Sequence, residues 1–144
     1  MTQIRNIVFD ALLEMKDAGL VAASAAAQVD AADKILDLGE SYFEANLVVD
    51  VTALEVDTGN EKYEIELQLS DSATFASGNV VACVLKLGDS SVTGSSADSG
   101  TGRYIQPIRN EFADTIYRYA RLYTRIAGTI ATGINYSAFL SPGC

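Results

Sequence analysis

Tyr117, Tyr119, Arg121, Tyr123 and Arg125 occupy every second position of the stretch "YRYARLYTRIAGT". Tyrosine and arginine at that spacing suit recognition. Both are enriched at the energetic centres of protein interfaces, and they stack on each other and on sugars. The same pattern also fits the outer face of a strand, with tyrosines lying over neighbouring side chains. Its arginines would then meet Glu64 or Glu66 across a sheet. We read the five residues as a strand face that holds proteins together, and the partner that suits them is an acidic or carbonyl-rich protein surface.

Other chemistry is sparsely supplied. The chain has no histidine, which removes histidine triads, histidine general bases and nearly all zinc sites. Mechanisms based on a carboxylate, Lys, Ser or Cys remain. Glu64 and Glu66 could mimic a glycosidase pair, but they alternate with apolar residues, where a solvated strand face is expected. "DSSVTGSSADSG" places Asp89 and Gly94 as in a calcium loop. Ser91 and Thr93 are poor ligands, however, and Gly100 stands where a bidentate glutamate belongs. No Gly-Lys-Ser/Thr follows, so the stretch is not a phosphate-binding loop. "NYS" (Asn135 to Ser137) matches a glycosylation sequon without an export signal to deliver it. No catalytic, cofactor-binding or metal-binding residue is assigned. Cys83, in an apolar run, reads as a buried free thiol and Cys144 as an exposed one, with no disulfide between them.

The net charge of -9 argues against a nucleic-acid binder, which needs a basic footprint. The charge is uneven: five arginines (103, 109, 118, 121 and 125) stand against Glu111 and Asp114. No apolar run approaches the roughly 20 residues of a membrane span. At the N-terminus Asp10, Glu14, Lys16 and Asp17 interrupt any apolar core of a signal peptide, so a product without export and without a membrane is expected. A chain of 144 residues, 49% of them hydrophobic, is expected to form one domain with a substantial core.

The elements that would position these residues are strands. "KYEIELQLS" alternates Tyr63, Ile65, Leu67 and Leu69 with Lys62, Glu64, Glu66 and Gln68, the pattern of a half-buried antiparallel strand. "NLVVDVTALEV" before it is rich in β-branched residues. "DTGNE" between them supplies turn chemistry, so the two read as a hairpin. "NVVACVLKL" is apolar on both faces and reads as a central strand. Residues 88–102 are Gly, Ser and Thr with little to bury, and read as a flexible loop. Pro107 marks an edge or a break. Residues 116–127 read as a strand in preference to a helix, with Ile116, Ala120, Leu122 and Ile126 opposite the ladder. After Gly128 and Gly133, sites of bends or bulges, the final strand has Ile130, Thr132, Ile134, Tyr136, Ala138 and Leu140 on one side. Residues 1–36 read as an arm or extension, its alanine-rich part helical or extended, and residues 37–144 as an antiparallel β-sandwich of jelly-roll type.

The order of pieces is familiar. "ILDLGE" follows an Ala/Ser stretch, "LQLSDSATF" follows a strand, and "RYARLYTRIAGT" precedes the last strand. In Asp37 to Gly39, Leu67 to Phe75 and Arg118 to Thr132 the chain resembles the capsid cement, or decoration, proteins of tailed bacteriophages, of the podophage type. The likeness covers roughly residues 9–140. "MTQIRNIV" and the length of residues 103–116 depart from the pattern. The resemblance implies a jelly-roll-like sandwich on the outside of the virion head. It would bind the major capsid protein lattice after expansion as a small homo-oligomer, a dimer in preference to a trimer, without catalysis. The other reading of the ladder is a carbohydrate- or receptor-binding module of a virion.

Overall fold

The computed structural model describes residues 9–142; the "MTQIRNIV" extension and Cys144 lie outside them. After a 3-10 turn (Ala11–Leu13) come six short strands: β1 (Glu14–Lys16), β2 (Leu20–Val21), β3 (Ala25–Ala26), β4 (Gln28–Val29), β5 (Ala32–Asp33) and β6 (Leu36–Asp37). Longer strands follow: β7 (Glu44–Leu54), β8 (Lys62–Ser70), β9 (Val80–Gly88) and, past the helical turn α1 (Ser90–Thr93), β10 (Gly102–Arg109). A small hairpin of β11 (Glu111–Phe112) and β12 (Thr115–Ile116) leads to β13 (Tyr119–Ala127) and β14 (Ile134–Pro142).

The strands form two main antiparallel sheets. The first runs β1–β14–β7–β10, with β2 also on β14; the second runs β3–β13–β8–β9, with β6 also on β13. The core lies between them. Tyr63, Ile65, Leu67 and Leu69 of β8 and Leu122 of β13 meet Leu47 and Val49 of β7 and Ile134, Tyr136 and Leu140 of β14. Each such apolar side chain stabilises the fold by roughly 1.5–3 kcal/mol relative to exposure. A polar contact between the sheets lies within this core. Thr124 of the second sheet and the Tyr136 hydroxyl of the first lie 2.5 Å apart, so neither is buried unpaired. Burial pushes the Tyr136 hydroxyl up to about 12.

Tyr63, Ile65, Leu67 and Leu69 of "KYEIELQLS" face the core as expected, but the strand is not half-buried, since Glu66, Gln68 and Ser70 on its other face are buried too. Its expected partner is not realised either. β7 pairs with β14 and β10, and β8 with β13 and β9. "DTGNE" therefore crosses between the sheets instead of closing a hairpin. Glu61 shapes the crossing. Its buried carboxylate accepts the N–H groups of Thr58, Gly59 and Asn60 at 2.9, 2.9 and 3.1 Å. Burial alone would raise its pKa, yet the N–H donors of Thr58 and its neighbours outweigh that and hold it at about 2, against an ordinary 4.5. Its stabilisation is thus complete above about pH 4.5 and is lost as pH falls towards about 2. Glu61→Gln is expected to flatten the acid limb of a urea-stability curve over that window. An unchanged limb would contradict this account of the turn.

"NVVACVLKL" forms β9, which is an edge strand and not a central one. Its apolar residues on both sides are satisfied differently: Leu87 is buried, while Val81 and Val84 stay 40% and 36% exposed on the outer face. Pro107 does lie on an edge, in β10, where its missing N–H interrupts no ladder. Residues 88–102 fold back on themselves. Gly88 and Ser99 exchange two hydrogen bonds, and the Asp89 carboxylate caps α1 by accepting the Ser91 N–H.

The described part of residues 1–36 is extended, with no α-helix, and belongs to the sandwich. Met15, Ala27 and Leu36 lie in the core. Lys16 is buried and its ammonium donates to the carbonyls of Tyr136, Asp17 and Gly19 at 2.8, 3.0 and 3.1 Å. Small side chains let this segment run close to both sheets: Ala27 donates to the Leu122 carbonyl at 2.9 Å. Gly133 marks the tightest approach. It has φ +95°, and an added Cβ would fall 2.1 Å from the Val21 carbonyl oxygen. Gly133→Ala is expected to cost about 2 kcal/mol and to loosen β2 from β14, read as faster amide exchange at residues 20–21. Unaltered exchange there would contradict it.

Candidate functional site

The outward face of the second sheet carries the Tyr/Arg ladder in three cross-strand rows. Arg121 is level with Gln68 and Val81, Tyr123 with Glu66 and Val84, and Arg125 with Glu64 and Lys86. Tyr119 lies further along the same strand, opposite Ser70 and Asp37. Tyr117 does not belong to the face: β13 begins two residues later, and Tyr117 packs against the core. The structure thus brings together four of the five ladder residues.

The rows are laced by polar contacts. Arg125 donates through Nε to Glu66 at 2.7 Å. Arg121 donates through Nε to Gln68 Oε1 at 2.8 Å, and Gln68 donates to Glu66 at 3.1 Å. Glu66 and Gln68 are each only 6% exposed, so these bonds satisfy groups that water does not reach. Glu64 pairs with Lys62 at 3.0 Å. Both members of the glycosidase-like carboxylate pair are therefore engaged by cations. Tyr123 is bracketed, with the guanidinium of Arg125 4.9 Å and that of Arg121 5.7 Å from its ring centre. Cations over the ring take up faces that a sugar would use.

Phe75, which closes the stretch "LQLSDSATF", is the residue that the two-residue spacing does not add to the face. It is buried, and the Arg121 guanidinium lies 4.6 Å from its ring centre. Its backbone has φ +56°, an unusual conformation for a bulky side chain. Asn79 holds the turn by donating to the Phe75 carbonyl at 3.1 Å. Only the cross-sheet placement of β13 over the β8–β9 connection reveals the contact.

At the end of the face three stretches far apart in sequence meet. Arg118 makes a two-pronged ion pair with Asp37, both bonds at 2.9 Å, and its backbone N–H donates to Asp71 at 3.2 Å. The Arg118 guanidinium, followed by the Gly39 N–H, holds the Asp37 carboxyl below its usual range. With Phe75 under Arg121, "ILDLGE", "LQLSDSATF" and "RYARLYTRIAGT" form one corner.

Elsewhere Cys83 is half-buried and lines an open groove of about 620 Å³ between the edges β9 and β10, with Ala82, Ile108 and Phe112. Burial pushes its thiol up, away from the thiolate form that reacts. Among the described residues no cluster of three or more Cys, Asp or Glu side chains could hold a metal, and no helix is long and apolar enough to cross a membrane. No protein-family model, curated protein or solved structure matches the chain.

Proposed function

We propose that this chain is a structural virion protein that binds the outside of a phage capsid and cements the expanded shell. The observation that carries the reading is the shared corner. Three stretches far apart in sequence, which carry the resemblance to capsid cement proteins, are tied to one another by Asp37–Arg118, Asp71–Arg118 and Phe75–Arg121. A pattern maintained by mutual contact belongs to the architecture of a fold. The strand order also supports it. β1/β2, β14, β7 and β10 in one sheet and β3/β6, β13, β8 and β9 in the other is an order that two interlocked Greek keys would produce, and we read the sandwich as a jelly roll on that basis.

In this reading the protein is not an enzyme and works without a cofactor. The major capsid protein lattice is its partner, a small homo-oligomer its working form, and the outside of the head its location. A homo-oligomer that engages several subunits of a repeating lattice at once attaches avidly even if each contact is weak, and each bridge resists the outward pressure of packaged DNA. Heating filled heads with and without the added chain tests this. Decorated heads are expected to release DNA at a higher temperature than bare ones. Equal release temperatures at saturating chain would contradict the cementing role.

A further inference from the structure

The outward face of β8, β9 and β13 is the positive part of a negative molecule. Four cations (Lys62, Lys86, Arg121 and Arg125) stand on it against two carboxylates (Glu64 and Glu66), in a chain whose net charge is -9. The two carboxylates are spent on Arg125 and Lys62. Among the described residues neither Arg121 nor Lys86 is in an ion pair. Arg121 is nevertheless held still. Its Nε is fixed by the buried Gln68, and its plane lies near the rings of Phe75 and Tyr123. Only Nε is used, so its terminal NH₂ groups keep their donors. Beside it on the open edge stand Val81 and Val84, partly exposed apolar neighbours of Gln68 and Glu66.

We propose that the docking patch runs across the sheet, from Tyr123 and Arg121 over Gln68 to Val81, Val84 and Lys86. Its partner is an acidic protein surface with apolar residues between its carboxylates, and Arg121 is the carboxylate anchor. The proposal rests on the attachment reading and names the chemistry of the surface attached to. Immobilised arginine is suited to this: its fork takes a carboxylate at two points, and little side-chain freedom is left to lose on binding. Arg125, already neutralised by buried Glu66, is a strut and not an anchor. The unusual backbone of Phe75 fits the same picture, because it places a ring under the guanidinium of this face that has no ion pair among the described residues.

The test is a titration of the ¹⁵N-labelled full chain, followed by NMR, with a short synthetic peptide of alternating glutamate and valine. Saturable shifts are expected at Arg121, Tyr123, Val81, Val84 and Lys86, weakening as salt is raised. Arg121→Gln is expected to bind about tenfold more weakly with an unchanged fold. Lys86→Gln, whose side chain makes no ion pair, is expected to bind several-fold more weakly. Shifts elsewhere, or equal binding by Arg121→Gln, would overturn the patch. So would shifts caused by heparin or duplex DNA and not by the peptide. Peptide binding lost in Arg121→Gln, in a chain that ignores capsid shells, would keep the patch and discard attachment. Shell attachment unaffected by Arg121→Gln would keep attachment and discard the patch.

Discussion

Asn110→Ala is expected to lower the unfolding free energy by about 3–4 kcal/mol. Asn110 is fully buried where the chain leaves β10. Its Oδ1 accepts the Phe43 N–H at 2.8 Å, and its Nδ2 donates to the carbonyls of Ser41 and Tyr117, each at 3.0 Å. Its backbone N–H donates to Phe43 and its carbonyl accepts from Tyr117. One side chain thus pins the entry to β7 and the entry to β13 on the exit from β10. Alanine would leave one N–H and two carbonyls short of a partner. An unmet buried group costs about 1–3 kcal/mol, and partial access of water at Ser41 reduces the total. Arg109→Ala next door changes an exposed side chain without an ion pair among the described residues, and is expected to stay within about 0.5 kcal/mol. Urea unfolding of both variants checks the pair. A loss under about 1 kcal/mol for Asn110→Ala would mean that the corner is not held as described.

The second large effect concerns attachment. Arg121→Ala combined with Tyr123→Ala is expected to weaken binding to expanded shells by at least about a hundredfold. The same variant is expected to lose only about 1 kcal/mol of stability, or roughly 2–4 °C in Tm. The asymmetry follows from geometry. Both side chains stand on the outer face, and the core beneath them is Ala120, Leu122 and Thr124. What the fold loses is the cover over Phe75 and one bond to Gln68. What attachment loses is the uncompensated cation and the aromatic beside it, counted once for each linked subunit of the proposed homo-oligomer. A collapse of Tm with attachment intact in the folded fraction would reverse the assignment and make the ladder structural.

The strand faces were legible because side chains in a strand alternate with period two. "KYEIELQLS" and "YARLYTRIA" each state which residues point inward, and the buried tyrosine and leucines lie where that rule puts them. Strand partners were not legible. "DTGNE" has the same turn chemistry whether it returns to its own sheet or crosses to the other, and the choice depends on β14, some eighty residues on. β9 was misplaced for a related reason: an edge strand with an apolar outer face has the composition of a central one. The short strands β1 to β6 lack the length to display a period, and alanine favours helix over strand in isolation. Their register comes from Lys16, Ala27 and the bare backbone at Gly133. Of the candidate face, Tyr119, Arg121, Tyr123 and Arg125 were legible from spacing. Phe75, Gln68 and the edge valines were not, since only the sheet register brings them alongside. Asn110 gave no local signal, because two of its three side-chain partners, Ser41 and Phe43, lie nearly seventy residues earlier and only Tyr117 is near in sequence.

Co-sedimentation of the purified chain with expanded, emptied shells of its phage, beside unexpanded shells, tests the central claim most directly. Saturable binding to the expanded shells alone, at a fixed copy number per shell, is the predicted result. Binding to neither form at any chain concentration would contradict the cement function, while leaving the two-sheet fold in place.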